Sequence, residues 1–134
     1  MKKTETKKER IYMNTTQQSL YERLGEQEGI AKVVDVFYDR ILADDTVNHF
    51  FKNTDMEKQR RHQTMFISFA VGGPHKYTGK AMTKAHEGMN IKHEDFMAIV
   101  NHLVAALKEF NVTDEDIQAI AEKLLPMEKD IIEK

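Results

Sequence analysis

Apolar residues recur along this chain at the spacing of amphipathic helices. In "GIAKVVDVFYDRILADD" the apolar face consists of Ile30, Val33, Val34, Phe37, Ile41 and Leu42. The stretch "HEDFMAIVNHLVAALKEF" has an apolar stripe at the same spacing, made of Phe96, Ile99, Leu103, Ala106 and Phe110. A repeat of about 3.6 residues is the period of an α-helix, whereas a half-buried strand alternates every second residue. No stretch of this sequence alternates convincingly, so the pattern predicts an all-α fold.

Polar and helix-breaking residues predict where these helices begin and end. Three pairs join a Ser or Thr to an acidic residue three positions later, as at helix N-termini: Ser19–Glu22, Thr54–Glu57 and Thr113–Asp116. Pro126 should end or kink the last helix after Leu125. Between the long helices, "TVNHFF" reads as a short apolar corner, "GGPHKYTGK" as a loop, and "AMTKAHEGMN" as a short helix that Gly88 ends.

The helix expected in "TDMEKQRRHQTMFISFAVGG", residues 54–73, has an unusual inner face. Its outer arc carries Glu57, Arg60, Arg61, Thr64 and Ser68. Its inner arc carries Gln59, His62, Gln63, Phe66 and Ala70, so the second half of that face is apolar and the first half is polar. Burying two amides and an imidazole costs free energy unless each finds a partner. The pattern therefore predicts polar partners across from the first half of this helix.

Composition limits the classes of protein that fit. A chain of 134 residues is one domain by length, and 20 basic against 22 acidic residues create no general attraction to nucleic acid. The absence of cysteine excludes disulfides and thiolate sites, and no apolar run approaches the roughly 20 residues that span a bilayer. The N-terminus, "MKKTETKKERIY", has no secretory apolar region. We expect a flexible basic arm at 1–18, a domain at 19–134, and a cytoplasmic protein that inserts into no membrane.

Six histidines carry the candidate chemistry. Neither His86-Glu87 nor His93-Glu94 continues into the H-E-x-x-H of zinc proteases, and the sequence has no E-x-x-H pair of a di-iron bundle. A haem site needs fewer protein ligands than these two metal sites, namely one neutral imidazole and a shaped pocket. Taken singly, His86 also fits an ordinary helix histidine, Tyr38 a packed ring with its hydroxyl at the surface, and His102 a hydrogen bond within the helical frame.

The order of several short motifs is more specific than any one of them. The chain reads "FY", "HFF", "QRRHQ", "GGPHKYTG", "MTKAHEG" and "FMAIVNHLVAAL" in succession. This succession closely resembles the group I truncated haemoglobins, small globins whose helices form a two-over-two sandwich. The resemblance runs from Ser19 to about Leu125 and rests on both residue type and spacing.

The resemblance implies a role for individual positions in a haem b site. His86 matches the proximal histidine that binds iron, Phe51 the phenylalanine that stacks on the porphyrin, and Tyr38 the distal tyrosine that donates to the bound ligand. Gln59 and Gln63 match the two distal-helix positions over the ligand. Further haem contacts are implied at Phe66, Met82, Ile91, Phe96 and Ile99, with propionate partners among Lys58, Lys76, Tyr77 and Lys80. The loop glycines of the family match Gly72, Gly73 and Gly79.

His62 has two readings within the resemblance. It matches a position where some cyanobacterial and algal members carry a histidine that binds iron as a sixth ligand. Alternatively, its imidazole lies outside the pocket near a propionate. The ferric and deoxy-ferrous spectra distinguish these alternatives.

Two positions depart from the family pattern. The family usually has Gly-Gly between its first two helices, whereas this chain has Gly25-Glu26 with Gly29 further on, so we expect a local difference at that corner. Members that attach haem covalently use a histidine in the last helix, and this chain has none there. The resemblance therefore implies haem that is not covalently attached by that route.

The resemblance implies a protein that reversibly binds O2, NO and CO, but several physiological roles remain open. One is nitric oxide dioxygenation or defence against reactive species, which would need an unidentified reductase. Another is an oxygen carrier, store or sensor without turnover. A third, from a different class, is a helical interaction module with no cofactor. The protein is expected to be a monomer in each case.

Overall fold

The structure, a computed structural model, describes residues 19–74, 86 and 88–132, and the regular elements within these ranges are helices. The α-helices are α1 (Leu20–Arg23), α2 (Glu26–Leu42), α3 (Met56–Ala70), α4 (His93–Glu109) and α5 (Asp114–Leu124), and two 3₁₀ helices span Asn48–Phe51 and Leu125–Asp130. The basic arm at 1–18 lies outside the described residues, as does most of the short helix expected in "AMTKAHEGMN". Extended pairing in the described part is limited to one isolated bridge between Ile91 and Ile132. The prediction of an all-α fold is confirmed.

Two of the three predicted helix starts are confirmed. The Ser19 hydroxyl accepts from the Glu22 backbone N–H, and the Glu22 carboxylate accepts from the Ser19 N–H in return. The Thr113 hydroxyl accepts from the Asp116 N–H at the start of α5. The prediction for α3 is wrong by one residue, because Asp55 and not Thr54 caps it, accepting from the Lys58 N–H. A carboxylate both accepts the hydrogen bond and stabilises the positive end of the helix dipole, an advantage that threonine lacks.

The long helix α2 lies at the centre of the fold. It packs against both α3 and α4, and α3 also contacts α5. Its apolar stripe is buried as predicted, together with the ring of Tyr38, but the prediction is wrong for Leu42 at the end of the helix, which is 37% exposed. Phe110, predicted as the last residue of the α4 stripe, is likewise 41% exposed. Removing this apolar surface from water is the main favourable contribution to folding, at about 25 cal/mol per Å². The helix therefore delivers Tyr38 into the interior as part of the core.

The predicted outer arc of α3 is wrong in its second half. Thr64 and Ser68 are buried, with 6% and 0% of their surface exposed. The segment that contains α1 covers this side, since the Tyr21 N–H donates to the Val71 carbonyl, and α5 also contacts α3. The Thr64 hydroxyl meets the cost of burial by donating to the Arg60 carbonyl. A helix enclosed on both sides loses the amphipathic signal on which the prediction depended.

The corner between α1 and α2 has left-handed backbone at two successive residues. Gly25 has φ +93°, and Glu26 follows at φ +61°, a left-handed conformation that is unfavourable for residues other than glycine. A Cβ atom on Gly29 would lie 2.0 Å from the Leu24 carbonyl oxygen. Gly29 is therefore required because the end of the first helical segment lies directly on α2.

Two further predictions concern the frame around the site. His102 hydrogen-bonds within the frame as expected, with its Nε2 2.7 Å from Asp44 Oδ2. The Thr46 hydroxyl, and after it His102, lower the pKa of Asp44 to about 2.

At the C-terminal end, the α-helix stops before Pro126 and continues as the second 3₁₀ helix. Among the described residues, no helix is long and apolar enough to cross a membrane.

Candidate functional site

A cavity of about 380 Å³ lies between α2, α3, α4 and the C-terminal 3₁₀ segment. Its walls are mainly carbon: Phe37, Ile41, Phe50, Phe51, Phe66, Met89, Ile91, Phe96, Ile99, Val100, Leu103, Leu124, Met127 and Ile131. A volume of this size falls in the range of small-molecule and cofactor sites, which are mostly apolar with a few polar groups that fix orientation. The polar residues at its walls are Tyr38, Thr54, Gln59, His62, Gln63 and His86.

Tyr38 and Gln59 form a hydrogen-bonded pair at the cavity wall. The Gln59 amide nitrogen donates to the Tyr38 hydroxyl oxygen over 2.9 Å. Because the phenolic oxygen accepts this bond, the O–H hydrogen of Tyr38 remains available to donate to a ligand in the cavity. Gln63 is half-buried one turn further along α3 and lines the same cavity. The polar face of α3 thus has its partner in a buried phenol on α2.

The Tyr38 phenol keeps its proton at all ordinary pH values. Only 2% of the residue is exposed, and burial raises the pKa of Tyr38 to about 12. The Gln59 hydrogen bond and the nearby Arg60 charge act in the opposite direction, with smaller effects. Burial disfavours the charged phenolate, so the group stays a neutral donor.

Aromatic packing holds the Tyr38 ring in place. The Phe37 and Phe51 ring centroids lie 4.9 and 5.5 Å from that of Tyr38, with the Phe51 ring edge-on to it. These distances are in the favourable range for tilted and edge-to-face aromatic pairs. Phe51, which the resemblance places on the porphyrin, therefore also buttresses the phenol.

His86 reaches the cavity from a turn and not from a described helix. Its carbonyl accepts from the Met89 N–H, and left-handed backbone follows at Gly88 (φ +83°) and Asn90 (φ +51°). Both residue types tolerate this conformation better than others. The chain then enters the isolated bridge at Ile91, just before α4 begins.

The C-terminal segment closes the cavity beside this turn, a role that the sequence analysis missed. Met127 and Ile131 line the cavity, Ile132 bridges Ile91, and the Glu128 carboxylate hydrogen-bonds the His93 ring. The hydrogen bond to Glu128 raises the pKa of His93. The four-residue spacing of Met127 and Ile131 is the signal that could have indicated a buried face beyond Pro126.

Most of the predicted site residues meet at this one cavity: Tyr38, Phe51, Gln59, His62, Gln63, Phe66, His86, Ile91, Phe96 and Ile99. His62 differs from the inner-face expectation, because it is exposed although it lines the cavity. Lys58 is exposed and does not line the cavity. Lys76, Tyr77, Gly79, Lys80 and Met82 lie outside the described residues.

The donor set at the cavity fits haem better than a metal ion bound by protein ligands alone. The described part of the chain holds no cluster of three His, Asp or Glu side chains that could bind such an ion. A haem supplies four nitrogen ligands itself and asks of the protein one imidazole and an apolar slot. His86 and the carbon-rich walls provide both, so the residues present fit the group.

A helical frame around an apolar cavity that two histidines, His62 and His86, and a buried phenol–amide pair line is the architecture of a small globin. The comparison with known families agrees, since residues 19–133 match the Bacterial-like globin family. The chain belongs to this family.

The most informative relatives are group 1 truncated haemoglobins. That of Tetrahymena pyriformis is 45% identical over 117 residues, covering 87% of this chain and 97% of the relative. That of Synechocystis is 42% identical over 107 residues, covering 77% of this chain and 86% of the relative. These similarities confirm the family resemblance that the motifs indicated.

Solved structures of such proteins superpose closely on this fold. The truncated haemoglobin of Tetrahymena pyriformis in its Fe(III) form matches with a TM-score of 0.81, covering 87% of this chain and 100% of that one. The 2/2 haemoglobin of Synechococcus, solved in the cyanomet state with covalently attached haem, matches with a TM-score of 0.79 at 36% identity, covering 86% of this chain and 98% of that one. The predicted two-over-two sandwich is confirmed. Membership in a globin family supports haem-based gas binding.

Proposed function

We propose that this protein is a haem b globin that reversibly binds O2, NO and CO, with His86 as the iron ligand that the protein supplies. The observation that carries the proposal is the Tyr38–Gln59 hydrogen bond at the wall of an apolar cavity that the imidazole of His86 also lines. Bound haem supplies an iron atom that takes up a diatomic ligand and can change its oxidation state.

Each polar side chain of the cavity has a distinct task in this proposal. Neutral His86 binds the iron, and Tyr38 donates its O–H hydrogen to the diatomic ligand. Gln59 holds the phenol in that orientation through the 2.9 Å bond. Gln63 brings a second amide to the same wall. The aromatic and aliphatic walls exclude water, which strengthens these hydrogen bonds.

We further propose nitric oxide dioxygenation as the turnover reaction. One O2, one NO and one electron combine to give one nitrate ion, so each cycle oxidises the haem iron by one electron. A reductase, not identified by the sequence, must return that electron. We also propose that the protein is a cytoplasmic monomer. The substrates and the reductase would then reach one cavity per molecule.

A carrier, store or sensor of O2 is the second candidate function. The Tyr38–Gln59 pair favours it as well, because a hydrogen bond to the ligand slows release whether or not chemistry follows. The two candidates differ in what NO does to the O2-loaded protein. A carrier that must release O2 before NO reacts forms no nitrate, because NO then binds the haem in place of O2, whereas a dioxygenase forms one nitrate for each O2-loaded haem.

His62 is proposed as a candidate sixth ligand, because it lies on α3 at the cavity and one turn past Gln59. Its exposure places it at the cavity rim, from which an inward rotation would reach the interior. The ferric spectrum of His62→Ala compared with wild type tests this: coordination predicts a low-spin wild type and a high-spin variant. Two equally high-spin proteins would contradict it.

One experiment tests the proposed function in two stages. The absorption spectrum of the purified protein with added haem should show the Soret and visible bands of a haem b protein. A cofactor-free interaction module would show neither. The O2-loaded ferrous form is then mixed with NO in a stopped-flow instrument, and nitrate is quantified. One nitrate per haem, formed much faster than O2 dissociates, supports dioxygenation, and replacement of O2 by NO at the rate of O2 dissociation without nitrate supports the carrier.

A further inference from the structure

The Arg60 guanidinium joins α3 to two successive turns of α2. Its Nη1 donates to the Asp35 backbone carbonyl at 2.9 Å and contacts the Asp35 carboxylate at 3.3 Å. Its Nη2 donates to Asp39 Oδ1 at 3.1 Å. One planar group therefore contacts three acceptors spread over one turn of α2. A lysine could not match this arrangement, because its ammonium group is a single point charge.

This contact flanks the hydrogen bond at the candidate site on both helices. Arg60 follows Gln59 directly on α3, and Tyr38 lies between Asp35 and Asp39 on α2. The Arg60 Cζ atom also lies 5.8 Å from the centre of the Tyr38 ring, within the range of a cation–π contact. The length of the Tyr38–Gln59 bond depends on how closely α2 and α3 approach, and hydrogen bonds weaken steeply when that geometry is lost.

Two other arginine ion pairs of α2 and α3 are looser, whereas Arg23 pairs with Asp116 of α5 at 2.9 Å, away from the α2–α3 contact. Arg61 lies 4.0 Å from Glu57 within α3 itself, and both side chains are largely exposed. Arg40 reaches Glu109 at 3.5 Å, again between exposed groups. The Arg60 side chain is only 25% exposed, although its partners Asp35 and Asp39 are 63% and 71% exposed, and it adds a bond to a backbone carbonyl. Exposed pairs of the first kind contribute little, whereas several charge-assisted bonds on one group contribute more.

We propose that Arg60 is a positioning residue for ligand binding: by tying α3 to the α2 turns on either side of Tyr38, it sets the geometry of the Tyr38–Gln59 pair and so the strength of the phenol's hydrogen bond to a diatomic ligand. This inference rests on the proposed haem-based ligand binding. It concerns a residue that touches neither the cofactor nor the ligand, since Arg60 does not line the cavity.

The test compares Arg60→Gln and Arg60→Lys with Arg61→Gln, a matched loss of charge on the next residue of the same helix. O2 release from Arg60→Gln should accelerate about three- to tenfold, in the lower range of coupling between contacting groups. Arg60→Lys should fall between Arg60→Gln and wild type. Arg61→Gln should stay within about 1.5-fold of wild type, as for an exposed pair.

The infrared C–O stretch of the carbon monoxide form gives a readout that general loosening of the fold would not move. A donor close to the ligand lowers this frequency, so Arg60→Gln should shift the band upward or split it. Arg61→Gln should leave the band in place. An unchanged band together with wild-type O2 release in Arg60→Gln would overturn the proposal.

A double-mutant cycle separates this proposal from the proposed function. In a Tyr38→Phe background, Arg60→Gln should add nothing to O2 release, because its route of action is gone. Equal acceleration in both backgrounds would show that Arg60 acts by some other route and would overturn the positioning role alone. If Tyr38→Phe itself releases O2 at the wild-type rate, the proposed distal function fails and this inference fails with it.

Discussion

The two polar regions of the cavity are built in different ways. Tyr38, Gln59 and Gln63 extend from the long helices α2 and α3, where successive turns fix their separations. His86 lies in a turn, and left-handed residues at Gly88 and Asn90 lead from it to α4. The hydrogen-bonding groups therefore lie on two packed helices, whereas His86 lies in a turn that left-handed residues follow.

Contacts from distant parts of the sequence compensate on the His86 side. The backbone bridge from Ile91 to Ile132 and the pair formed by His93 and Glu128 attach the C-terminal segment beside the turn. The side with Tyr38, Gln59 and Gln63 is thus held by regular helices, and the side with His86 is held by contacts with the C-terminal segment. Each side should fail in its own way: the turn-borne side by losing the cofactor, and the helix-borne side by losing control over the ligand.

Removal of the imidazole should give the largest effect. His86→Ala should weaken haem affinity by more than about 100-fold, because even the outer partners of a metal ligand contribute about 10- to 100-fold. Transfer of haem to a scavenger protein measures this loss. Tyr38→Phe should bind haem almost as tightly as wild type, and so should His49→Ala. Unchanged haem affinity in His86→Ala would mean that another residue binds the iron.

Removal of the phenol oxygen should affect ligand release and spare haem retention. Hydrogen bonds to charged or strongly polarised groups contribute about 1.5–3 kcal/mol, so Tyr38→Phe should release O2 roughly 10- to 100-fold faster. Carbon monoxide is less polar, and its release should hardly change. Stopped-flow ligand replacement measures both rates. Wild-type O2 release from Tyr38→Phe would reduce Tyr38 to a core aromatic residue.

Weakening the C-terminal attachment should have a moderate effect confined to haem retention. Glu128→Gln should speed haem loss by at most about fivefold, the upper limit for an exposed pair. The effect depends on pH, because the raised pKa of His93 means that the charged pair contributes fully below the ordinary histidine pKa and is lost as pH rises through the raised value. The difference from wild type should therefore be larger at low pH than at high pH.

Glu122→Gln is the matched control for this experiment, since Glu122 is an exposed acidic residue of α5 whose recorded partner is Gln118 on the same helix. It should lose haem at the wild-type rate. A Glu128→Gln protein that behaves like this control at every pH would show that the attachment does not support the His86 turn.

The smallest expected effect is the pH dependence of O2 release. Because burial raises the pKa of Tyr38 to about 12, the donor stays protonated and release should vary less than about twofold between pH 6 and pH 9. The same shift stabilises the folded state fully below the unfolded tyrosine pKa of about 10, and this contribution is lost as pH rises from about 10 to about 12. A steep change in release near neutral pH would point to a different titrating group.

The sequence predicts well the region of the site that lies on α2 and α3, because burial of one helix face produces a repeat of apolar residues that is visible in the sequence. The stripe of α2, the packed ring of Tyr38 and the inner positions of Gln59 and Gln63 follow from spacing, whereas the role of the Tyr38 hydroxyl came from the family resemblance. Thr64 and Ser68 were misplaced because two neighbours enclose that half of α3, and periodicity within one helix carries no information about a second neighbour.

The other region could not be predicted in the same way. Met127 and Ile131 acquire their place through contact with a turn some 40 residues earlier in the chain, and Pro126 hides the continuation of the helix. The role of His86 came from family resemblance, since an isolated histidine in a polar stretch has many ordinary uses. Arg60 was predicted on the outer arc, but it is half-buried against α2, because its contacts depend on how the two helices cross.

The steric fit of α1 has a consequence for how long a folded molecule persists. A Cβ on Gly29 would collide with the Leu24 carbonyl, and one on Gly73 would lie 2.7 Å from the Tyr21 ring. These contacts need α2 and α3 to be in place already, so we expect them to form after the folding barrier has been crossed. Interactions absent from the transition state slow unfolding without speeding folding. Gly29→Ala should therefore unfold faster in denaturant-jump experiments while refolding at nearly the wild-type rate, and equal changes in both rates would place the docking of α1 before the barrier. The absence of side chains at Gly29 and Gly73 would then determine how slowly the native state unfolds.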